Sequence, residues 1–349
     1  MVNLCSDNVA GALPAVLDAL VEAGRGAAMP YGADPWSARL DTLVAEIFER
    51  PAMVFPVATG TAANSLALAC LTPPWGAVYC HDEAHVMVDE CGAPEFFTGG
   101  AKLIGIGGRD SRIDPQALRA TIALAAGSDH PVHVARPSAV TITTVSEGGT
   151  LYAPAEVAAI ADVCRTFSLG LHMDGARFAG TLAALGCSPA DLTWKAGVDI
   201  LSLGATKGGA LAAEAVVVFD PALAEPLAYR RKKSGHLVSK MRFLSAQLVA
   251  WLSEGRWLSA ARHANGLAQR LGAGLDTVPG AKLVTPVEAN MAFVAFDQPL
   301  SDGLRGRGHA FYPWPAHGPQ AVRLVTSFET TDEDVEAFLA DARAIAAGR

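Results

Sequence analysis

The chain has little charge, few aromatic residues and no long apolar run. Of its 349 residues, 18% are charged and 7% are aromatic, and Pro, Gly or a charged residue interrupts each apolar stretch. These interruptions come well short of the length that crosses a bilayer, so we expect no membrane partner. No basic residue precedes Arg25 and no continuous apolar segment lies near the N-terminus, so we expect no signal peptide.

Cysteine is also scarce, and its spacing matches no motif. The six cysteines are scattered without C-x-x-C pairs. This pattern favours buried thiols in a reducing compartment, and we therefore expect a cytoplasmic protein. His81 and His85 lie four residues apart, but the sequence HDEAH differs from the zinc motif H-E-x-x-H, and we expect no metal.

Basic charge is sparse and concentrated in one place. The net charge is −8, and the one cluster of basic residues is RRKK at positions 230–233. We therefore expect no nucleic-acid partner. A solvated helix face explains this cluster, and a role for Arg231 towards a partner or a phosphate is the alternative.

The chain does contain an alternation of apolar strands and helices. From residue 101 onward this order is typical of a mostly parallel sheet with crossover helices. The last quarter predicts a small α+β domain whose final helix is capped by Thr331. We predict an α/β protein with a large domain over residues 1–250, including an N-terminal arm over 1–30, and a small domain over 251–349.

Two amphipathic helices are predicted near the N-terminus. The first has one apolar face that we expect to be buried, formed by Leu13, Val16, Leu17, Leu20 and Val21. A turn-rich segment with Tyr31, Gly32 and Asp34 precedes the second helix. A capping turn and a role in a functional site are both open for this segment.

The segment 197–219 predicts two apolar strands joined by a loop of small residues. Lys207 is the single charged residue between Asp199 and Glu214, and glycines and alanines surround it. Partial removal from water favours the neutral amine, which is a nucleophile towards aldehydes. An ordinary surface lysine at a strand end is the alternative.

Two further strand ends carry polar groups. The strand 53–57 is followed by Thr59, Gly60 and Thr61 and then by a helix, so free N–H groups and the helix dipole offer an anion site suited to phosphate. An ordinary strand-to-helix turn without a ligand is the alternative. Asp174 ends another apolar strand, 33 positions before Lys207, which corresponds to one crossover. Ligands of such sheets bind outside the carboxyl ends of the strands, so both side chains can face one crevice.

Two more residues complete the set of candidates. His85 can stack on a planar ligand or serve as a structural histidine. Arg323 lies in an apolar strand and either pairs with a carboxylate or phosphate or faces water at a sheet edge. A nucleophilic lysine, an acid, an anion site and a flat ring are together what pyridoxal 5′-phosphate requires.

The same residues lie in motifs that resemble the low-specificity L-threonine aldolases, which are fold type I pyridoxal phosphate enzymes. The matching segments follow in order from near residue 3 to residue 328: SDN at 6–8, YGADP at 31–35, PVATGTAAN at 56–64, AHV at 84–86, HMDGARF at 172–178, LGATKGGALAAEAVV at 203–217 and VRLVTSF at 322–328. The resemblance implies an aspartate aminotransferase-like large domain and a homotetramer built from two dimers.

The resemblance also implies roles for individual residues. Lys207 would carry the cofactor, Asp174 would bind its pyridine nitrogen and Arg177 its phenolic oxygen. The phosphate and ring would be held by Gly60, Thr61 and His85, and Arg231 would act in a neighbouring subunit's site. The substrate carboxylate would be bound by Ser6 and Arg323, with Tyr31 as a further substrate-binding candidate.

The implied reaction cleaves L-threonine, L-allo-threonine and related β-hydroxy-α-amino acids, including phenylserine, to glycine and an aldehyde. Many members of the family have a histidine in the strand-end segment where this chain has Glu147. Glu147 is therefore a catalytic candidate, and the base that acts on the β-hydroxyl is left open. Alternatives are a β-eliminating lyase or aminotransferase of the same fold, or a pyridoxal phosphate-binding protein without turnover.

Overall fold

A computed structural model describes residues 1–348 and contains a seven-stranded sheet. The strand order is β1-β7-β6-β5-β4-β2-β3. All strands run parallel except β7, which is antiparallel to both of its neighbours. The prediction of a mostly parallel α/β sheet is therefore confirmed. The strands are β1 (Met53–Val57), β2 (Gly76–His81), β3 (Lys102–Ile106), β4 (Arg136–Thr143), β5 (Gly170–Gly175), β6 (Ile200–Gly204) and β7 (Glu214–Val218).

Helices cover the sheet and connect its strands. The helices up to β7 are α1 (Pro14–Ala23), α2 (Pro35–Ile47), α3 (Gly60–Leu71), α4 (His85–Val88), α5 (Ala93–Thr98), α6 (Pro115–Ala126), α7 (Pro154–Phe167), α8 (Phe178–Leu185) and α9 (Pro189–Leu192). Those after β7 are α10 (Ala224–Lys233), α11 (Arg242–Leu252), α12 (Arg256–Leu275), α13 (Gln298–Gly306) and α14 (Asp332–Ala347). Among residues 1–348, no helix is both long and apolar enough to cross a membrane.

A second, antiparallel sheet follows in the chain, with the order β10-β11-β9-β8. Its strands are β8 (Ala281–Leu283), β9 (Met291–Phe296), β10 (Tyr312–Pro313) and β11 (Ala321–Val325). Helices α12, α13 and α14 pack with this sheet around a second core, to which Val2 and Leu4 of the N-terminal arm also contribute. Trp257 of α12 belongs to the first core, so α12 joins both cores and the boundary at residue 250 stays a prediction.

The N-terminal helix corrects one prediction. Its buried face consists of Val16, Ala19 and Ala23, through which α1 packs against α11. The expected burial of Leu17 and Val21 was wrong for the single chain, because their side chains are 45% and 62% exposed. Both faces of this helix carry apolar residues, so periodicity could not show which one packs inward.

Glycines and small residues bring the strand ends of the first sheet close together. A Cβ at Gly204 would lie 2.6 Å from the backbone of Ala176, so only glycine lets the end of β6 lie this close to the loop after β5. Helix α3 lies over the same end of the sheet and is buried along most of its length. The polar residues that follow β4, β5 and β6 therefore converge beside the start of α3.

Candidate active site

A cleft lies where the carboxyl ends of β4, β5 and β6 meet the N-terminus of α3. Its empty space, including open solvent, is about 790 Å³ next to the turn of Thr59, Gly60 and Thr61 and about 590 Å³ in the adjoining part. Nine of the predicted residues line it, within one chain: Thr59, Gly60, Thr61, His85, Glu147, Asp174, Arg177, Lys207 and Arg323. The expectation that Asp174 and Lys207 share a crevice is met by this geometry.

Lys207 lies in the 3-10 turn Thr206–Gly208 that follows β6. Burial lowers the pKa of its amine, and the positive charge of Arg177 lowers it further. The turn is fixed from two sides: Trp251 Nε1 donates to the Gly208 carbonyl over 2.9 Å, and the Glu214 carboxylate accepts from the Ala205 N–H over 2.7 Å. The amine is therefore held in place at the cleft and is biased towards its nucleophilic, neutral form.

Asp174 is the carboxylate at the end of β5, and both of its oxygens have donors. Oδ1 accepts from the backbone N–H of Ala176 over 2.9 Å, and Oδ2 accepts from Asn64 Nδ2 over 2.8 Å. The side chain is buried but borders the cleft. A carboxylate held in this way can keep a nearby pyridine nitrogen protonated.

The N-terminus of α3 opens onto the cleft at the turn where the sequence predicts an anion site. Thr59 caps the helix, and its Oγ1 accepts from the Ala62 N–H over 3.2 Å. The first N–H groups of a helix have no carbonyl partner inside it and carry the positive end of the dipole. A Cβ added at Gly60 would contact nothing within 4 Å, so packing within the protein does not require this glycine and space for a ligand remains beside it.

His85 and Glu147 border the same part of the cleft, where the side chain of Glu147 contacts the backbone of His85. The backbone N–H of His85 donates to Glu147 Oε1 over 2.8 Å, and its Nδ1 lies 2.8 Å from Glu90 Oε1. The hydrogen bond with Glu90 raises the pKa of His85. Burial raises the pKa of Glu147 to about 7, and its Oε2 is buried without a partner.

Two arginines bring further positive charge to the cleft. Arg177 forms a two-point ion pair with Asp7, which follows Ser6 in the N-terminal arm. Arg323 lies with its guanidinium 4.4 Å from the ring centre of Trp314, and its buried Nε has no partner. A buried, unpaired guanidinium N–H is a donor for an anion that enters the cleft.

Three predicted residues do not line this cleft in the single chain. The Ser6 hydroxyl accepts from the Asn8 N–H and caps a short turn, although Asn8 borders the cleft and Asp7 lines an adjoining cavity beside Arg177 and Lys207. Tyr31 is half exposed with Lys232 over its ring. Arg231 packs on Phe55 and donates to the Pro56 carbonyl over 3.3 Å.

Sequence reasoning missed four polar residues that shape the cleft: Asp7, Asn64, Glu90 and Glu214. Two of them carry one signal, a polar side chain inside an otherwise apolar or small-residue segment. Asn64 lies among buried small residues of α3, and Glu214 is the first residue of β7, whose other four residues are apolar. A buried polar group of this kind needs partners, and each of the four has them.

The residues present fit pyridoxal phosphate. An amine whose pKa is lowered by burial, a carboxylate and a free helix N-terminus line one cleft, and Glu147 Oε2, Asn64 Oδ1 and Arg323 Nε are buried polar atoms without a partner in the protein. Among residues 1–348, no group of three or more His, Cys, Asp or Glu side chains is placed to hold a metal ion. Fold and cleft together define a pyridoxal phosphate enzyme of fold type I.

Comparison with known proteins assigns the family. A family model described as beta-eliminating lyase matches residues 3–299. A low specificity L-threonine aldolase from Pseudomonas sp. (strain NCIMB 10558) is 43% identical over 98% of this chain and 97% of its own length, and one from Pseudomonas aeruginosa is 44% identical over the same shares. The solved threonine aldolase of Leishmania major superposes with a TM-score of 0.91 at 26% identity, covering 99% of this chain and 100% of that one. The chain belongs to the beta-eliminating lyase family, and pyridoxal phosphate is its cofactor.

Proposed function

We propose that this protein cleaves β-hydroxy-α-amino acids, with L-threonine and L-allo-threonine as substrates and phenylserine as a further one, to glycine and an aldehyde. The observation that carries the proposal is the meeting of Lys207, Asp174 and the α3 N-terminus in one cleft. The near full-length similarity to two low specificity L-threonine aldolases supports the choice of reaction.

Each part of the cleft has a role in holding the cofactor under this proposal. Lys207 would hold it through its amine, Asp174 would keep its pyridine nitrogen protonated, and Gly60 and Thr61 would bind its phosphate at the start of α3. His85 would lie against its ring, and Arg177 would bind its phenolic oxygen. When bound, the cofactor supplies an electron sink for the bond that breaks at the substrate α-carbon.

We assign the substrate carboxylate to Arg323, whose Nε has no partner in the protein. Ser6, which precedes Asp7 in the N-terminal arm, is the second residue assigned to this carboxylate. Fixing the carboxylate fixes the orientation of the α-carbon and therefore which of its bonds is cleaved. Tyr31 lies outside the cleft of its own chain. We assign it to substrate binding in a neighbouring subunit.

A base must remove the proton from the β-hydroxyl while the bond between the α- and β-carbons breaks. Glu147 is suited to this step because its Oε2 is free of protein partners and its pKa of about 7 allows it both to accept and to return a proton. His85 is the second candidate, since it borders the same part of the cleft. The experiments on Glu147 below distinguish the two.

We further propose a homotetramer of the cytoplasm, in which Arg231 completes a neighbour's phosphate site. Large apolar side chains exposed on the single chain support a subunit interface, and all six cysteines are free thiols, as a reducing compartment favours. Those side chains include Leu17, Val21, Met29, Tyr31 and Tyr229. Residues 1–250 and 251–349 are retained as the two domains of each subunit.

Product analysis tests the proposed reaction. Purified protein loaded with cofactor is incubated separately with L-threonine, L-allo-threonine and phenylserine, and glycine, aldehyde and keto acid are quantified. Equal amounts of glycine and aldehyde are expected. Keto acid in place of glycine would show the rival elimination or transamination chemistry, and loading of cofactor without any product would show a binding protein without turnover.

A further inference from the structure

Asn64 contacts two buried carboxylates at once. Its side-chain nitrogen lies 2.8 Å from Asp174 Oδ2 and 2.9 Å from Glu90 Oε1, and the residue is 2% exposed. A primary amide has two N–H bonds, so each carboxylate receives one. The opposite orientation of the amide would place its oxygen against two carboxylate oxygens, and the contacts therefore fix the assignment.

Glu90 connects this amide to His85. Its Oε1 accepts from Asn64 and also faces His85 Nδ1 over 2.8 Å, while the Glu90 side chain is fully buried. Because Nδ1 points at a carboxylate, it carries a proton, and Nε2 is the nitrogen left for the cleft. The side chains of His85, Glu90, Asn64 and Asp174 thus form one continuous chain of hydrogen bonds.

No other type of side chain performs this bridging at the same size. A hydroxyl offers one proton, an aspartate offers none when ionised, and a lysine would add a charge. Without the two N–H groups, Asp174 and Glu90 would be neighbouring buried anions that repel each other. Asparagine on the first turns of α3 fills this role because its side chain is small, neutral and has two N–H groups.

We propose that Asn64 is a positioning residue that couples Asp174, the acid for the cofactor's pyridine nitrogen, to His85 through Glu90, so that His85 responds to cofactor loading. This inference rests on the proposed function, since it uses Asp174 and His85 in their proposed roles. Asn64 acts through Asp174 and Glu90.

Other charges also face His85 and set the background for this coupling. Glu147 accepts from its backbone N–H, and Glu90 raises its pKa through a hydrogen bond. The other charged groups that border this part of the cleft are Asp89, which lies on the same segment as His85, and four residues on other segments: Asp174, Arg177, Lys207 and Arg323. Of these groups, Asp174 alone loses a contact when Asn64 is replaced, and it is part of the bridge, so a change at His85 reports the bridge itself.

The test measures the pKa of His85 by NMR in protein labelled with ¹³C at histidine Cε1, with and without cofactor. A His85→Gln variant identifies the signal. In the wild type we expect loading to shift the pKa of His85 by at least about half a unit, and in Asn64→Ser we expect at least half of that shift to be lost. We also expect kcat to fall about tenfold in Asn64→Ser with a smaller change in KM, because the step after binding is affected.

Two further variants keep the result interpretable. Asn265→Ser removes another buried amide, which donates to the Gly180 carbonyl and touches no carboxylate, and should retain the full shift at His85. Glu90→Leu removes the oxygen that accepts from Asn64 and faces His85, leaves α3 unchanged, and should lower the pKa of His85 in both states. An unchanged loading shift in folded, cofactor-loaded Asn64→Ser, or in Glu90→Leu if the first variant does not fold, overturns the proposal. A wild type that releases no glycine would instead overturn the proposed function.

Discussion

Asp7 and Arg177, which are 170 positions apart in the chain, form a buried two-point ion pair. Arg177 Nε donates to Asp7 Oδ2 over 2.7 Å, and Nη2 donates to Oδ1 over 2.8 Å. Asn290, which directly precedes β9, donates through its side chain to the same Asp7 Oδ2 over 3.0 Å. The pair therefore ties the N-terminal arm to the loop after β5 and holds Arg177 at the cleft.

Replacing Asp7 by Asn should destabilise the protein by about 3 kcal/mol, because a buried guanidinium loses its counter-charge and the new amide directs a donor at other donors. Urea unfolding of the cofactor-free protein measures this effect. Asp162→Asn is the control, since Asp162 pairs with Arg165 on the surface and should change the free energy of unfolding by less than about 1 kcal/mol. Equal effects of the two substitutions would contradict the role given to the buried pair.

Replacing Lys207 by Ala should remove covalent attachment of the cofactor and lower kcat at least about a thousandfold. The absorbance band of the bound cofactor should be lost or shifted, while far-UV circular dichroism stays the same. Lys195→Ala is the matched control, because Lys195 pairs with Glu49 and Asp191 away from the cleft. A Lys207→Ala variant that keeps both the spectrum and the turnover would show that another amine carries the cofactor.

The sequence predicted the sheet and most of the cleft because both follow from local patterns. Apolar strands alternating with helices predict a parallel sheet, and polar residues at the carboxyl ends of its strands must meet at one edge. Asp174, Lys207 and the Thr59 to Thr61 turn are placed by that rule alone. The antiparallel direction of β7 follows from a short loop after Lys207, which leaves no room for a crossover.

The remaining features depend on contacts between distant segments. Asp7 and Arg177 meet only after the arm folds over the loop beyond β5, and Asn64 becomes informative only when Glu90 and Asp174 are seen beside it. Burial of Leu17 in α1 was mispredicted for a related reason, since apolar periodicity does not state which surface is covered. The positions of Tyr31 and Arg231 relative to a neighbour's cleft stay predictions.

Replacing Arg323 by Lys should raise KM for the amino acid more than about tenfold, with a smaller effect on kcat. A lysine keeps the charge but cannot stack on Trp314 and donate through a planar fork at the same time. Steady-state kinetics with L-threonine measures both constants. Arg270→Lys on the exposed face of α12 should leave KM unchanged. An unaltered KM in Arg323→Lys would place the substrate carboxylate elsewhere.

We expect kcat/KM to rise with pH across about pH 7, because only the ionised form of Glu147 can accept the proton of the β-hydroxyl. In Glu147→Gln we expect kcat/KM to fall about a hundredfold or more and the rise near pH 7 to disappear. His85→Gln measured over the same range separates the candidates. If the rise persists in Glu147→Gln and is lost in His85→Gln, the histidine is the base.

Glu214 should make the cofactor-free protein less stable as the pH increases. Burial raises its pKa to about 7 from an ordinary value of 4.5, so the folded state holds a proton that the unfolded chain has already released between these values. The stabilisation is complete below about pH 4.5 and is lost as the pH rises through 7. Glu147 changes in the same direction and window, so Glu214→Gln removes the contribution of Glu214 and leaves that of Glu147.

Between pH 5 and pH 8, the free energy of unfolding should therefore decrease in both proteins, and the decrease should be about 2 kcal/mol smaller in Glu214→Gln than in the wild type. The glutamine carbonyl can still accept from the Ala205 N–H, so the lysine loop keeps its hydrogen bond. Urea unfolding at the two pH values measures the difference, with Glu22→Gln on the exposed side of α1 as the control that should follow the wild type. A Glu214→Gln variant with the wild-type pH dependence would mean that this carboxyl group is already ionised in the folded protein at pH 5.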